Sequence, residues 1–115
     1  MIEVRIANNN DVDSLVNLGL KKEDISDKFC FLFLNEKRIN GYAIIKTEKD
    51  KSFIEQFNLQ ENKKVKLFFL KSIGFNLIEF GIEEIYDKNM LVNSFFPNNG
   101  KIDLNLLFKG HCNDL

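Results

Sequence analysis

Ile2, Val4 and Ile6 alternate with Glu3 and Arg5, the period of a strand with one buried face. Asn8, Asn9 and Asn10 interrupt it. Asp11 stands where a side chain caps a helix, and Val12, Leu15, Val16 and Leu18 follow at three- and four-residue spacing, with Gly19 near the end. After a polar stretch, every position from Phe29 to Leu34 is apolar, which predicts a strand buried on both faces. Asn35 to Arg38 reads as a turn and Ile39 to Thr47 as the returning strand of a hairpin. Gly41 within that strand signals a bulge or the close approach of another group.

Glu48 to Ser52 is polar throughout and predicts a second turn. Phe53 to Leu59 follows as a strand, with Phe53, Glu55, Phe57 and Leu59 on one face and Ile54, Gln56 and Asn58 on the other, so that each face carries a polar residue. Lys63 to Phe80 has the length and spacing of one long helix, ended by Gly81. Its apolar residues form no single stripe. Phe69, Ile73, Leu77 and Phe80 make one face, Leu67, Phe68, Phe75 and Ile78 line another, and Ser72, Asn76 and Glu79 form the polar strip. Such a helix has two partners: the sheet, and either the remaining chain or a second copy. Ile82 to Tyr86 then predicts a short strand, Asn89 to Phe96 a brief helix stopped by Pro97, and Lys101 to Phe108 a last strand with Ile102, Leu104, Leu106 and Phe108 on one face, before a frayed tail. The order βαβββαβαβ describes a mixed α/β (α+β) sheet with helices on its faces, in one domain over 1–115.

Composition narrows the chemistry more than it suggests it. A formal net charge of -1 supplies no global field for nucleic acid or an anionic membrane, so any anion site is local and neither is an expected partner. One histidine and two cysteines without paired spacing, Cys30 and Cys112, argue against a metal or redox motif. Cys30 reads as a small core hydrophobe, and Cys112 beside His111 lies in a tail too loose for a catalytic pair. The longest apolar run, Phe29 to Leu34, falls short of the roughly 20 residues of a membrane span, and the opening segment is no signal peptide, so the cytoplasm is the expected compartment. Abundant Lys, Asn and Phe with few Arg fit an AT-rich, bacterial source.

Several spacings, in order along the chain, resemble the GNAT acetyltransferase superfamily. Arg5, Ala7, Asp11, Leu15 and Leu18 are similar to its opening R-x-A-x-x-x-D strand and helix, and Ile39, Gly41, Tyr42, Ala43 and Ile44 to its I-x-G-Y-A strand. Ile54, Glu55, Phe57 and Leu59 resemble the I-E-x-L-x-V strand that leads to the cofactor. Gly81, Ile82, Ile85 and Tyr86 resemble G-V-x-x-I-Y, and Asn89, Val92, Phe95, Phe96 and Gly100 fall on the spacing of N-x-x-A-x-x-L-Y-x-x-x-G. The resemblance implies a mixed, mostly antiparallel sheet, acetyl-CoA held at a splay between two central strands, and acetyl transfer to a small-molecule or peptide amine. It implies cofactor contacts at Asn58, Leu59, Gln60, Lys63, Lys64, Val65, Lys66 and Asn89, and a general base at Glu55.

The sequence departs from that pattern at three places. Gln60 to Val65 places Lys63 and Val65 where the family has the small residues that let backbone N–H groups approach the pyrophosphate. Lys63, Lys64, Lys66 and Lys71, with no acid between Asn62 and Ile78, are a compensating charge at the positive end of a helix. Phe96 occupies the usual tyrosine acid position and has no proton to donate, leaving Tyr86 as the nearest hydroxyl substitute. Asp11 to Lys28 leaves room for little more than one helix, so the acceptor pocket is shallow, completed by a partner, or absent. Each residue also has a plain structural role: the lysines a solvated helix start, Glu55 an interface carboxylate, Tyr86 a core aromatic, Asn89 a helix cap. Two readings follow: a reduced N-acyltransferase, or a catalytically inactive module that keeps the fold to bind a small ligand or protein partner, as a homodimer.

Overall fold

Cys30 to Leu34 are buried as a continuous run because their strand, β2 (Phe29–Asn35), has a strand on each edge and a hydrophobic layer on each face. A computed structural model describes residues 1–113, with side chains through Lys109. β1 (Ile2–Ile6) and β3 (Arg38–Glu48) flank β2 antiparallel, β4 (Lys51–Leu59) continues the antiparallel ladder, and β5 (Glu84–Tyr86) joins β4 in parallel. The five strands lie in sequence order in one mixed, mostly antiparallel sheet.

One face carries Phe31, Phe33, Ala43, Ile45 and Ile54 against α3 (Lys63–Glu79) and α4 (Leu104–Asn113); the other carries Cys30, Leu32, Leu34, Tyr42 and Ile44 against α1 (Val12–Asn17) and the single turn α2 (Lys22–Ile25). Asn62 caps α3, its Oδ1 accepting from Val65 N at 2.9 Å, and Gly81 at φ +90° ends it, as its position predicts. Gly41 meets both of its expectations. The β2–β3 register slips between Phe33 and Leu34, and a Cβ on Gly41 would stand 2.6 Å from the Asn58 carbonyl oxygen.

Four expectations are corrected. Asp11 does not cap α1; its carboxylate takes a two-pronged contact from Arg5, at 2.8 and 2.9 Å, and a bond from Asn8 N, tying the β1 end to the turn Asn9–Asp11. The β3–β4 register slips at Ile44/Ile45, so Ile45 faces Ile54 while Ile44 faces Gln56, and Glu55 is the extra, bulged residue. The bulge switches sides along β4: Ile54, Phe57 and Leu59 join the α3 core, and the strict alternation of Phe53, Glu55, Phe57 and Leu59 does not hold. The helix expected over Asn89 to Phe96 is a set of turns, because Met90 sits at φ 56° and Pro97 follows; the Asp87 carboxylate holds the N–H groups of Leu91 and Val92 in those turns. The last expected strand contributes only a bridge from Lys101 to Tyr86. Asp103 then opens α4, accepting from Leu106 N at 3.1 Å, and Leu104, Leu107 and Phe108 pack on the core while Leu106 is exposed. Alternating apolar residues met an equally good three- and four-residue spacing, and packing on α3 chose the helix. The side chains of 110–113, with His111 and Cys112, and residues 114 and 115 lie outside the description, as does the tail expected to fray.

Candidate functional site

β4 is bonded along one edge and open along most of the other. It pairs with β3 from Gly41–Leu59 to Glu48–Lys51, but with β5 only from Lys51–Glu84 to Phe53–Tyr86. Beyond Phe53 the two strands part. The bulge at Glu55 bends β4 at that point, and β5 is stopped one residue after Tyr86. The stop is Asp87, fully buried, whose carboxylate accepts from Leu91 N at 2.7 Å, Val92 N at 3.0 Å and Asn98 Nδ2 at 3.1 Å. These bonds turn the chain away from the sheet. The edge of β4 from Ile54 to Leu59 consequently borders a wedge, with the N-terminus of α3 at its wide end, because α3 begins just after β4 finishes.

On the α3 side the wedge has an aromatic floor: Phe57 lies 5.4 Å from Phe69 and 5.3 Å from Phe95, centroid to centroid. Phe96 is buried in the same core, and Leu59 beside it. On the α1–α2 side, Lys46, Glu48, Phe53, Glu55, Lys88 and Asn89 line a shallow hollow of about 310 Å³. The structure thus brings Glu55 and Asn89 together at the fork. Glu55 Oε1 pairs with Lys28 Nζ at 2.5 Å, and Phe53 stacks on Tyr86 with centroids 5.3 Å apart beneath Lys88 Nζ, 4.7 Å from the Phe53 ring.

Tyr86 donates its hydroxyl to the Glu84 carboxylate, which Lys101 also approaches at 3.3 Å. The tyrosine bond, then the lysine charge, holds Glu84 below the usual carboxylate range; the same bond pushes the Tyr86 phenol upward, making it a weaker proton donor. Asn58 is exposed and donates through Nδ2 to the Tyr42 hydroxyl at 3.2 Å. Gln60, Lys63 and Lys64 are exposed, and Lys66 is half-buried. With Val65 N taken by Asn62, the first N–H groups of α3 have no intrahelical partner, the ordinary condition of a helix start. Lys64 and Val65 also line a separate, mainly apolar groove with Ile2, Phe33 and Phe68.

Burial pushes the Cys30 thiol up to about 11, so it is no nucleophile at neutral pH. Among the described residues no cluster of His, Cys, Asp and Glu is suited to a metal ion, and no helix is long and apolar enough to cross a membrane. Sequence reasoning missed Asp87, Asn98, Lys28 and Lys88. A signal for the first two was present: an aspartate at a strand end followed by Asn89, Asn93, Asn98 and Asn99, side chains that build turns by bonding nearby backbone. Lys28 is distant from Glu55 in sequence, and nothing local announces their pairing.

No family model matches the sequence. No curated protein matches it either. Solved structures do match. A probable acetyltransferase from Staphylococcus epidermidis is similar at 17% identity and a TM-score of 0.63, over 84% of this chain and 80% of that one. An IAA acetyltransferase from Bacillus cereus is similar at 11% identity and a TM-score of 0.61, over 96% and 75% of the two chains. The N-acetylglutamate synthase of Neisseria gonorrhoeae, solved with coenzyme A and N-acetyl-glutamate, is similar at 18% identity and a TM-score of 0.57, over 78% of this chain and 26% of that one. At such identities the likeness is one of fold, and the fold is GNAT-like.

Proposed function

From the premise of a GNAT-like fold, we propose that this chain binds an acyl-CoA in the wedge between β4 and β5 and serves as an N-acyltransferase, in the cytoplasm, for a small-molecule or peptide amine. The observation that carries the reading is the fork itself. The outward edge of β4 beyond Phe53 is free of β5, and it ends at the start of a lysine-bearing helix. A free strand edge offers N–H and C=O groups to an amide-containing arm, and a helix start with Lys63, Lys64 and Lys66 favours phosphate charge. The residues present fit such a group through exposed charge in place of a glycine cradle.

Bound there, acetyl-CoA supplies an activated acyl group. Asn58, Leu59 and Gln60 hold and orient the arm along the strand, and Asn89 borders it at the fork. Glu55 receives a proton from the amine at its carboxylate, with Lys28 holding that carboxylate in place. Proton donation falls to Tyr86 or water, since Phe96 has no hydroxyl and is packed in the core.

A second reading, the inactive module, is favoured by two observations: the Tyr86 hydroxyl is committed to Glu84, and Lys63 and Val65 replace small residues at the helix start. Calorimetric titration with acetyl-CoA and with CoA separates them. Micromolar binding, about -8 kcal/mol, that is lost at low salt in the Lys63→Ala, Lys64→Ala, Lys66→Ala variant supports the first reading. Absence of binding at millimolar cofactor overturns it in favour of the second.

A further inference from the structure

The outer face of α3 is apolar where a surface helix is ordinarily polar. Phe69, Leu70, Ile73, Gly74 and Leu77 are buried, yet Phe68 is 50% and Phe75 58% exposed on the opposite side of the helix. Lys64, Phe68, Lys71, Phe75 and Ile78 recur there at alternating four- and three-residue steps, the spacing of a helix–helix seam. Among the described residues α4 does not supply the partner. It packs on the flank of α3 at Gly74, where Leu107 and Phe108 come within 3.2 and 3.3 Å of a would-be Cβ, and leaves the phenylalanines bare.

Charge along this seam is polarised. Lys64 stands at its start and Lys71 at its middle, no acid occurs between Asn62 and Ile78, and Glu79 stands at its end. A parallel pairing of two such helices sets Lys64 on Lys64 and Lys71 on Lys71. An antiparallel pairing about an axis between Lys71 and Ser72 removes the Lys64 conflict and leaves the two Lys71 side chains flanking the axis, long enough to diverge to solvent on opposite sides of the seam. In that register Phe68 meets the partner's Phe75, Lys64 meets the partner's Glu79, and Lys71 meets the partner's Ser72. Each contact occurs twice by symmetry, as a self-complementary two-fold interface requires. The apolar groove at Ile2, Val65 and Phe68 and the apolar hollow at Ile78, Ile82 and Phe108 extend the patch beyond the helix at its two ends, toward the roughly 800 Å² per partner of a stable interface.

We infer that a second copy of this chain covers the outer face of α3, the two helices packing antiparallel in the Phe68–Phe75 and Lys64–Glu79 register. The inference requires no ligand, and of the three lysines proposed above for phosphate only Lys64 takes part in the seam.

Sedimentation equilibrium of the full chain at micromolar concentration tests it. The expected mass is twice the 13.4 kDa of one chain. Phe75→Glu is expected to sediment as a monomer with an unchanged circular dichroism spectrum. Lys64→Glu and Glu79→Lys are each expected to weaken the dimer about tenfold, and the doubly reversed variant to recover it. A monomeric wild-type chain, which leaves the face to another occupant, overturns the inference, as does a dimeric Phe75→Glu. Failure of the double reversal to recover affinity overturns the register. Should Phe75→Glu not fold, the charge reversals decide alone, because both residues are exposed.

Discussion

The two edges of β4 were built for different ends. Toward β3 the strand is paired from Lys51 to Leu59, with Gly41 letting the two backbones close to a distance no side chain would allow. Toward β5 it is paired for its first three residues and then released, while Asp87 draws the following chain away. A sheet ordinarily covers or pairs an exposed edge, because unpaired N–H and C=O groups recruit other strands. Here the open edge lies in the interior of the strand order, floored by Phe57, Phe69 and Phe95 and rimmed by Glu55 and Asn89. The contrast teaches that the closed seam carries stability, while the open one leaves backbone N–H and C=O groups of β4 unpaired by β5.

The sharpest way to break that contrast is at the closed seam. Gly41→Ala drives a methyl onto the Asn58 carbonyl and Leu59, neither of which can swing aside as backbone and core, and is expected to cost about 3 kcal/mol in urea denaturation. At the open seam, Asp87→Ala leaves the Leu91 and Val92 amides without their acceptor. We expect a loss of about 2 kcal/mol, with faster amide exchange over residues 87–100 than in β3. A preserved exchange pattern in that variant would deny Asp87 its role in holding the strands apart.

A smaller effect is expected from pH at the far end of the sheet. The Arg5 guanidinium hydrogen-bonds to Asp11 and holds its carboxyl below the ordinary 3.8, with the Asn8 amide adding to this. A lowered folded value stabilises the protein above the unfolded value and is lost as pH falls through the folded one, so the contribution disappears from about pH 4 downward. Asp11→Asn is expected to cost about 1 kcal/mol at pH 7 and to flatten the acid limb of a stability–pH profile. The smallest effect is at Gly74. A methyl there meets the side-chain ends of Leu107 and Phe108, with Ile85 in ordinary contact, and the gain in helix propensity of about 1 kcal/mol offsets the crowding, leaving the melting temperature nearly unchanged.

Much of this was legible in local pattern. The hairpin of β2 and β3, the long helix ended by Gly81 and the order of the first strands follow from alternation, spacing and turn residues, because those signals act over a few neighbouring positions. The residues after Tyr86 were not. Asn89 to Phe96 has helical spacing, but Met90 sits at φ 56° and Pro97 follows, and the buried Asp87 carboxylate holds the Leu91 and Val92 amides in turns. Lys101 to Phe108 alternates as a strand does, but Leu104, Leu107 and Phe108 were already placed to pack in the core with α3.

The sequence by itself determined which segments are buried on both faces, where the backbone needs a glycine, and that charge gathers at the start of α3. Only the tertiary structure decided that Glu55 bulges from β4, that it meets Lys28, and that Phe68 and Phe75 face outward while their neighbours face in. The physical reason is range. Hydrophobic period and turn chemistry are properties of adjacent residues, whereas a bulge, an ion pair between residues far apart in sequence and an uncovered helix face depend on what the rest of the chain brings to each side.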